Sequence, residues 1–196
     1  MNKVIVLIDM DDTIENLVDA WCKWLNHKHG TNVHEADIIE WDICTFFPEL
    51  TKEEVFEPTL IEDFWKTVRP KKDAPEYISQ LIEEGFEIYI CTASDYRVTK
   101  AKYEYIIKRY FPFIDWEHVI IAHNKQMIRG DILIDDGIHN LIGGTYEKLL
   151  MTHPHNKHYD AKAHGMTRID SWEEAYNAVH EYASKLLRRN ERYESN

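Results

Sequence analysis

Apolar residues fall in short blocks along the chain, and each block stops at a polar or charged residue. The first, Val4-Ile-Val-Leu-Ile8, ends abruptly at Asp9. A run this short, rich in Val and Ile and bounded by charge, predicts a fully buried strand. Leu17, Ala20, Trp21, Trp24 and Leu25 then recur at helical spacing and predict a helix over 15–29, ended by Gly30. From 31 to 69 the pattern changes. This stretch shows no strand alternation, is rich in aromatics (Trp41, Phe46, Phe47, Phe56, Phe64, Trp65), and carries a capping box at Thr51-Lys-Glu-Glu54. It predicts a small helical insert over 14–70.

Beyond it the blocks become regular. Asp73-Ala-Pro75 opens a helix that buries Tyr77, Ile78, Leu81 and Ile82 and stops at Gly85. Strands are expected at 86–91, 118–122, 131–134 and 148–151, with a helix over 97–109. A second capping box, Ser171-Trp-Glu-Glu174, opens a last helix with Trp172, Ala175, Tyr176, Val179, Ala183 and Leu186 on its inner stripe. Strands alternating with helices predict an α/β fold with a parallel sheet covered on both faces. The core is expected over 1–13 and 71–196.

Composition narrows the functions. A chain of 196 residues suits one domain with an insert, and a formal charge of −12 argues against a nucleic-acid polymer as partner. A small phosphorylated molecule sees only the local site and stays open. Arg188, Arg189 and Arg192 read as a solvated helix end. Cys22, Cys44 and Cys91 are odd in number and form no Cys-x-x-Cys pair, which predicts free thiols in a reducing cytoplasm. The N-terminal run is too short for a signal peptide, and no apolar stretch is long enough to cross a membrane. A homodimer is compatible with the sequence.

The chemistry sits at the strand ends. The first strand ends in Asp9 and Asp11, the second in Thr92 and the fourth in Asp135 and Asp136; Lys125 follows the third. In a parallel sheet these ends lie side by side. Buried acids are costly unless compensated, and a hard cation such as Mg²⁺ compensates them while binding a phosphate. Four carboxylates, a hydroxyl and an ammonium suit phosphoryl transfer.

In this order, Asp9-x-Asp11-x-Thr13, Thr92, Lys125 and Asp135-Asp136 resemble the four motifs of the haloacid dehalogenase superfamily of phosphohydrolases. Ile90-Cys-Thr92, the Lys125 to Asp136 spacing, His155-Asn-x-His158 and Ser171-Trp172 are similar to the 5′(3′)-deoxyribonucleotidase family within it. The resemblance implies a Rossmann-like core with a small helical cap inserted after the first strand. It implies Mg²⁺ as cofactor and a nucleoside monophosphate, deoxyribonucleotides foremost, as substrate. Asp9 would be the nucleophile that forms an aspartyl-phosphate. Asp11 would be the acid and base, with its backbone carbonyl on the metal. Asp136 would bind the metal directly, and Asp135 would stand behind it or bind through water. Thr92, Ser94 and Lys125 would hold phosphate oxygens. Leu17, Trp41, Phe46 and His123 are the candidates for contact with the nucleoside.

The chain departs from that family at Asp12, where Gly is common, and at Ala93-Ser94, where Ser-Pro is common. These departures leave base and sugar preference open. Two other readings fit the acid cluster: a phosphatase for another small phosphate ester, and a phosphorylation-dependent receiver. A receiver carries no large insert after its first strand and no acid pair on its fourth. His153, His155 and His158 match no zinc-site spacing and read as a loop.

Overall fold

The computed structural model of the chain describes residues 3–194, with side chains as far as Leu186. The basic tail at Arg188, Arg189 and Arg192 lies outside the described side chains. Six strands form one parallel sheet: β1 (Ile5–Ile8), β2 (Glu87–Thr92), β3 (Val119–Ile121), β4 (Ile132–Asp135), β5 (Glu147–Met151) and β6 (Thr167–Ile169). Their spatial order is β3-β2-β1-β4-β5-β6, so the opening apolar run becomes a central strand flanked by β2 and β4. β6 is absent from the sequence expectation. Three residues, one of them exposed, are too short to show a period.

Alternation along the strands splits the core in two. Val6, Ile8, Ile90, Ile132 and Ile134 pack on one face with the aromatics of the insert and the last helix. Leu7, Cys91, Leu133 and Leu150 pack on the other. Burial on both faces explains why the strands read as continuous apolar runs.

The helices are α1 (Leu17–His29), α2 (Lys52–Phe56), α3 (Glu62–Trp65), α4 (Ala74–Glu83), α5 (Thr99–Lys102), α6 (Lys108–Tyr110), α7 (Ile138–Leu141) and α8 (Trp172–Glu194). The first three lie in the insert. Its two ends run together: the Asn16 amide donates to Arg69 O at 2.9 Å and the Lys71 amide to Ile14 O at 2.8 Å. The helix expected over 97–109 starts later and is interrupted. Arg97 folds back onto Asp95 with two side-chain bonds at 2.8 and 2.7 Å. A π-helical stretch, Tyr103–Ile107, then separates α5 from α6. At the far end, Trp172 donates its indole N–H to Thr13 O at 3.0 Å, tying α8 to the turn after β1. Cys22, Cys44 and Cys91 are all free thiols. No helix among the described residues is long and apolar enough to cross a membrane.

Candidate active site

The Asp9 amide donates to Ile134 O at 2.8 Å, which continues the β1–β4 pairing one residue past the strand. That bond brings Asp9 beside Asp135 and Asp136. The chain then turns sharply, with the Ile14 amide donating to Met10 O at 3.0 Å. The turn puts Asp12 in the left-handed region at φ 54°. A side chain there is normally unfavourable. Asp12 offsets the strain by capping α1, accepting the Val18 amide at 3.2 and 3.3 Å.

Lys125, only 1 % exposed, sits in a short turn after β3. Its ammonium donates to Asp9 Oδ1 and, at 2.6 Å, to Asp135 Oδ2. Burial alone would lower its pKa, but the two carboxylates outweigh that and hold it well above the usual lysine range. Asp135 is fully engaged. Its Oδ1 accepts the Gly137 amide at 2.7 Å and Asn140 Nδ2 at 3.0 Å. A Cβ at 137 would lie 3.0 Å from Asp135 Oδ1 and 2.9 Å from Asn140 Nδ2, so any other residue would have to displace these two side chains. Asp135 therefore supports Lys125 from behind.

Asp136 is buried and poorly compensated. Thr13 Oγ1 donates to its Oδ1 at 3.4 Å, and His155 Nε2 lies 3.5 Å from its Oδ2. Burial, then Asp135 and Asp9, push its carboxyl well above the usual range. Burial likewise raises Asp9 to about 7, with Lys125 opposing and Asp135 and Asp11 adding. Ligand oxygens of Asp9, Asp135 and Asp136 lie within 4.8 Å of one another. With Asp135 engaged, Asp9 and Asp136 are the carboxylates left with lone pairs to offer. An all-oxygen donor set with surplus buried negative charge fits a hard divalent cation.

On the other side of Asp9, Lys102 holds Asp11. Its Nζ lies 2.6 and 2.7 Å from the two Asp11 oxygens and 3.4 Å from Thr92 Oγ1. The ammonium also sits 5.1 Å from the Trp65 ring of the insert, within cation–π range. Sequence reasoning missed Lys102, although a signal was present. It stands on the same helical stripe as Val98 and Ile106, both buried, so it had to point inward. Lys100 is exposed and Lys148 half-buried, and neither takes part in the site. Glu15 was also missed. It is fully buried beside Asp11. Burial, then Asp11 and Asp12, raise its carboxyl well above the usual range against the pull of Lys102.

Thr92 is buried at the end of β2, while the Ser94 hydroxyl is engaged with Asp95 O at 3.2 Å and Thr99 Oγ1 at 3.1 Å. Above Asp9, Asp11 and Lys125 lies a cavity of about 340 Å³. Leu17, Trp41 and His123 line it. Phe46 does not. It is half-buried against the main core, and Trp21 and Phe56 supply the other aromatic walls. Trp41 is 61 % exposed and meets His139 and His155 edge-on at 4.6 and 5.0 Å. A larger cavity of about 650 Å³ beside α1 contains none of the strand-end groups.

The histidine loop is part of this surface. Burial would depress His153, but hydrogen bonds to Asp12 and Glu35, then the Asp12 and Asp136 charges, raise it to about 9. Burial and the charge of His153 lower His155 to about 4. A histidine whose pKa is higher folded than unfolded stabilises fully below about 6.5 and loses that stabilisation as pH rises through about 9. The wild-type melting temperature should therefore fall between pH 6.5 and 9 by more than that of His153→Gln. Parallel curves from thermal scans would refute the charge on His153. His158 is exposed.

This sheet, with acids at the ends of β1 and β4 and a buried lysine between them, defines a hydrolase of the haloacid dehalogenase type. The fold matches a haloacid dehalogenase family hydrolase of Deinococcus radiodurans, solved with bound phosphate and sodium. That match has a TM-score of 0.63 at 17% identity over 92% of this chain and 96% of that one. It also matches a Bacillus subtilis hydrolase of this type bound to magnesium, with a TM-score of 0.58 at 15% identity over 91% of this chain and 99% of that one. Residues 2–187 match the family model described as 5′ nucleotidase, deoxy (Pyrimidine), cytosolic type C protein. A 5′(3′)-deoxyribonucleotidase of Bacillus subtilis is 31% identical over 174 residues, 88% of this chain and 96% of that protein. One from Clostridium acetobutylicum is 31% identical over 175 residues, 89% and 94% of the two chains. The chain belongs to the 5′(3′)-deoxyribonucleotidase family and is a phosphoric monoester hydrolase.

Proposed function

We propose that this enzyme hydrolyses deoxyribonucleoside monophosphates in the cytoplasm, with Mg²⁺, through an aspartyl-phosphate on Asp9. The observation that carries the reading is the buried Lys125, clamped between Asp9 and Asp135 while the Asp136 carboxylate beside them is only weakly compensated.

Lys125 takes one oxygen of Asp9 and leaves Oδ2 to attack phosphorus. The new bond is Oδ2–P, and the P–O bond to the nucleoside breaks as Asp11 gives that oxygen a proton. Asp11 then takes a proton from water, which attacks the aspartyl-phosphate, releases phosphate and restores Asp9. Lys102 keeps the Asp11 carboxyl at the cavity edge for both transfers. Thr92, Ser94 and Lys125 hold the phosphate oxygens. Mg²⁺, held by Asp9, the Asp11 carbonyl and Asp136, would neutralise the phosphate and favour the ionised form of both carboxylates. Residues 14–70 act as a cap over the phosphate, and its apolar wall of Leu17, Ile38 and Ile43 excludes water.

Phosphate release from ribo- and deoxyribonucleoside 5′- and 3′-monophosphates, with Mg²⁺ and with chelator, tests the reading. Deoxyribonucleotides should lead, and chelator should slow release by roughly 100-fold or more. Release from sugar or aryl phosphates but from no nucleotide would overturn the substrate assignment, and full activity in chelator would overturn the metal.

A further inference from the structure

The chemistry above makes no use of the two histidines that follow β5, yet they lie between the insert and both acid motifs. Buried His153 has its Nε2 3.1 Å from Glu35 Oε1, in the insert, and 3.5 Å from Asp12 Oδ1, the residue after Asp11. Its Nδ1 lies 2.8 Å from His155 Nδ1. His155 Nε2 in turn lies 3.3 Å from Asp136 O and 3.5 Å from Asp136 Oδ2.

Two Nδ1 atoms at that distance need one proton between them. His153 Nε2 faces two carboxylates, so the doubly protonated ring is His153, and His155 is neutral with its proton on Nε2, toward Asp136. A single chain of polar contacts thus runs Glu35–His153–His155–Asp136, with a branch to Asp12. The insert touches this chain twice, through Glu35 and through Trp41 edge-on to His155 at 5.0 Å. Asn156 steadies the loop by donating to Asp136 O at 2.9 Å and Met151 O at 2.8 Å.

We propose that Glu35, His153 and His155 are positioning residues that couple seating of the insert to the two acid motifs. When the insert is seated, Glu35 orients His153. That ring then fixes Asp12, and so the peptide next to Asp11, and through His155 it fixes Asp136. When the insert lifts, both motifs lose this support together. The proposal rests on the reading of Asp11 and Asp136 given above.

The test is a double-mutant cycle of Glu35→Gln, His153→Gln and the pair. Its readouts are Mg²⁺ binding by calorimetry, amide hydrogen exchange at 31–46 and 153–156, and nucleotide hydrolysis. Residues that support metal ligands from behind typically change metal affinity or turnover by about 10- to 100-fold. Each single variant should weaken Mg²⁺ binding and lower kcat by roughly 10-fold and speed exchange in both segments, and the double should be no worse than the worse single. Wild-type Mg²⁺ affinity and exchange in Glu35→Gln, or additive losses in the double, would overturn the coupling. Should His153→Gln not fold, Glu35→Gln decides alone, since Glu35 is only partly buried. Calorimetry and exchange need no substrate, so an enzyme inactive on nucleotides would sink the functional reading while the coupling is still decided.

Discussion

Asp9→Asn abolishes turnover, with kcat lower by about 10⁴-fold or more, and leaves the fold intact. The amide cannot displace a nucleoside from phosphorus, and Lys125, Asp11 and Asp136 hold or protonate other atoms. Stability moves the opposite way to activity. The folded protein raises Asp9 to about 7 from 3.8. Between those values the folded state keeps a proton that the unfolded chain has released, so this carboxyl costs stability as pH rises. Asn is neutral in both states and avoids that cost. Lys125 meanwhile keeps Asp135 as its partner at 2.6 Å. In metal-free protein the wild-type melting temperature should drop relative to the variant between pH 4 and 7. Steady-state phosphate release and thermal scans at several pH values check both halves. Retained turnover would take the nucleophile away from Asp9.

Lys125→Met has the largest expected effect on stability. The ammonium holds Asp9 and Asp135, both buried, and no other cation contacts either carboxylate among the described residues. Removing one partner from a buried ion pair costs about 3–5 kcal/mol, because the stranded charge has no water to return to. For a chain of this size that is roughly a 6–20 °C lower melting temperature. The loss should be larger at pH 8 than at pH 5, where the stranded carboxylates take up protons. Turnover should also vanish, since the phosphate loses its fixed cation. Adding Asp135→Asn to Lys125→Met should recover part of the stability and none of the activity. A double variant as unstable as the single one would show that charge is not what the lysine supplies.

The central strands β1, β2 and β4 were legible because burial on both faces demands unbroken apolar runs, whereas the short, partly exposed β6 was not. The acids at their ends stood out because nothing apolar could replace them there. Lys102 was legible in principle, since it occupies a position between Val98 and Ile106 that a helix must bury, but a lone lysine on an apolar stripe has no evident partner in one dimension. Asp12 looked like a substitution for glycine. Only the turn shows that its side chain caps α1 and faces His153. Phe46 looked equivalent to Trp41, yet one packs on the core and the other leans over the cavity.

By itself the sequence determined the parallel α/β architecture, the insert after the first strand and the residues that end β1, β2 and β4. Each of these follows from local periodicity and from residue type at a boundary. The tertiary structure alone decided which carboxylate Lys125 ties and which it leaves, which lysine holds Asp11, and how Glu35 reaches Asp136 through two histidines. Those outcomes depend on pairings between side chains far apart in the chain, 118 positions for Glu35 and His153 and 123 for Thr13 and Asp136. In a buried site the partner of a charge sets its protonation state, and so what it can do.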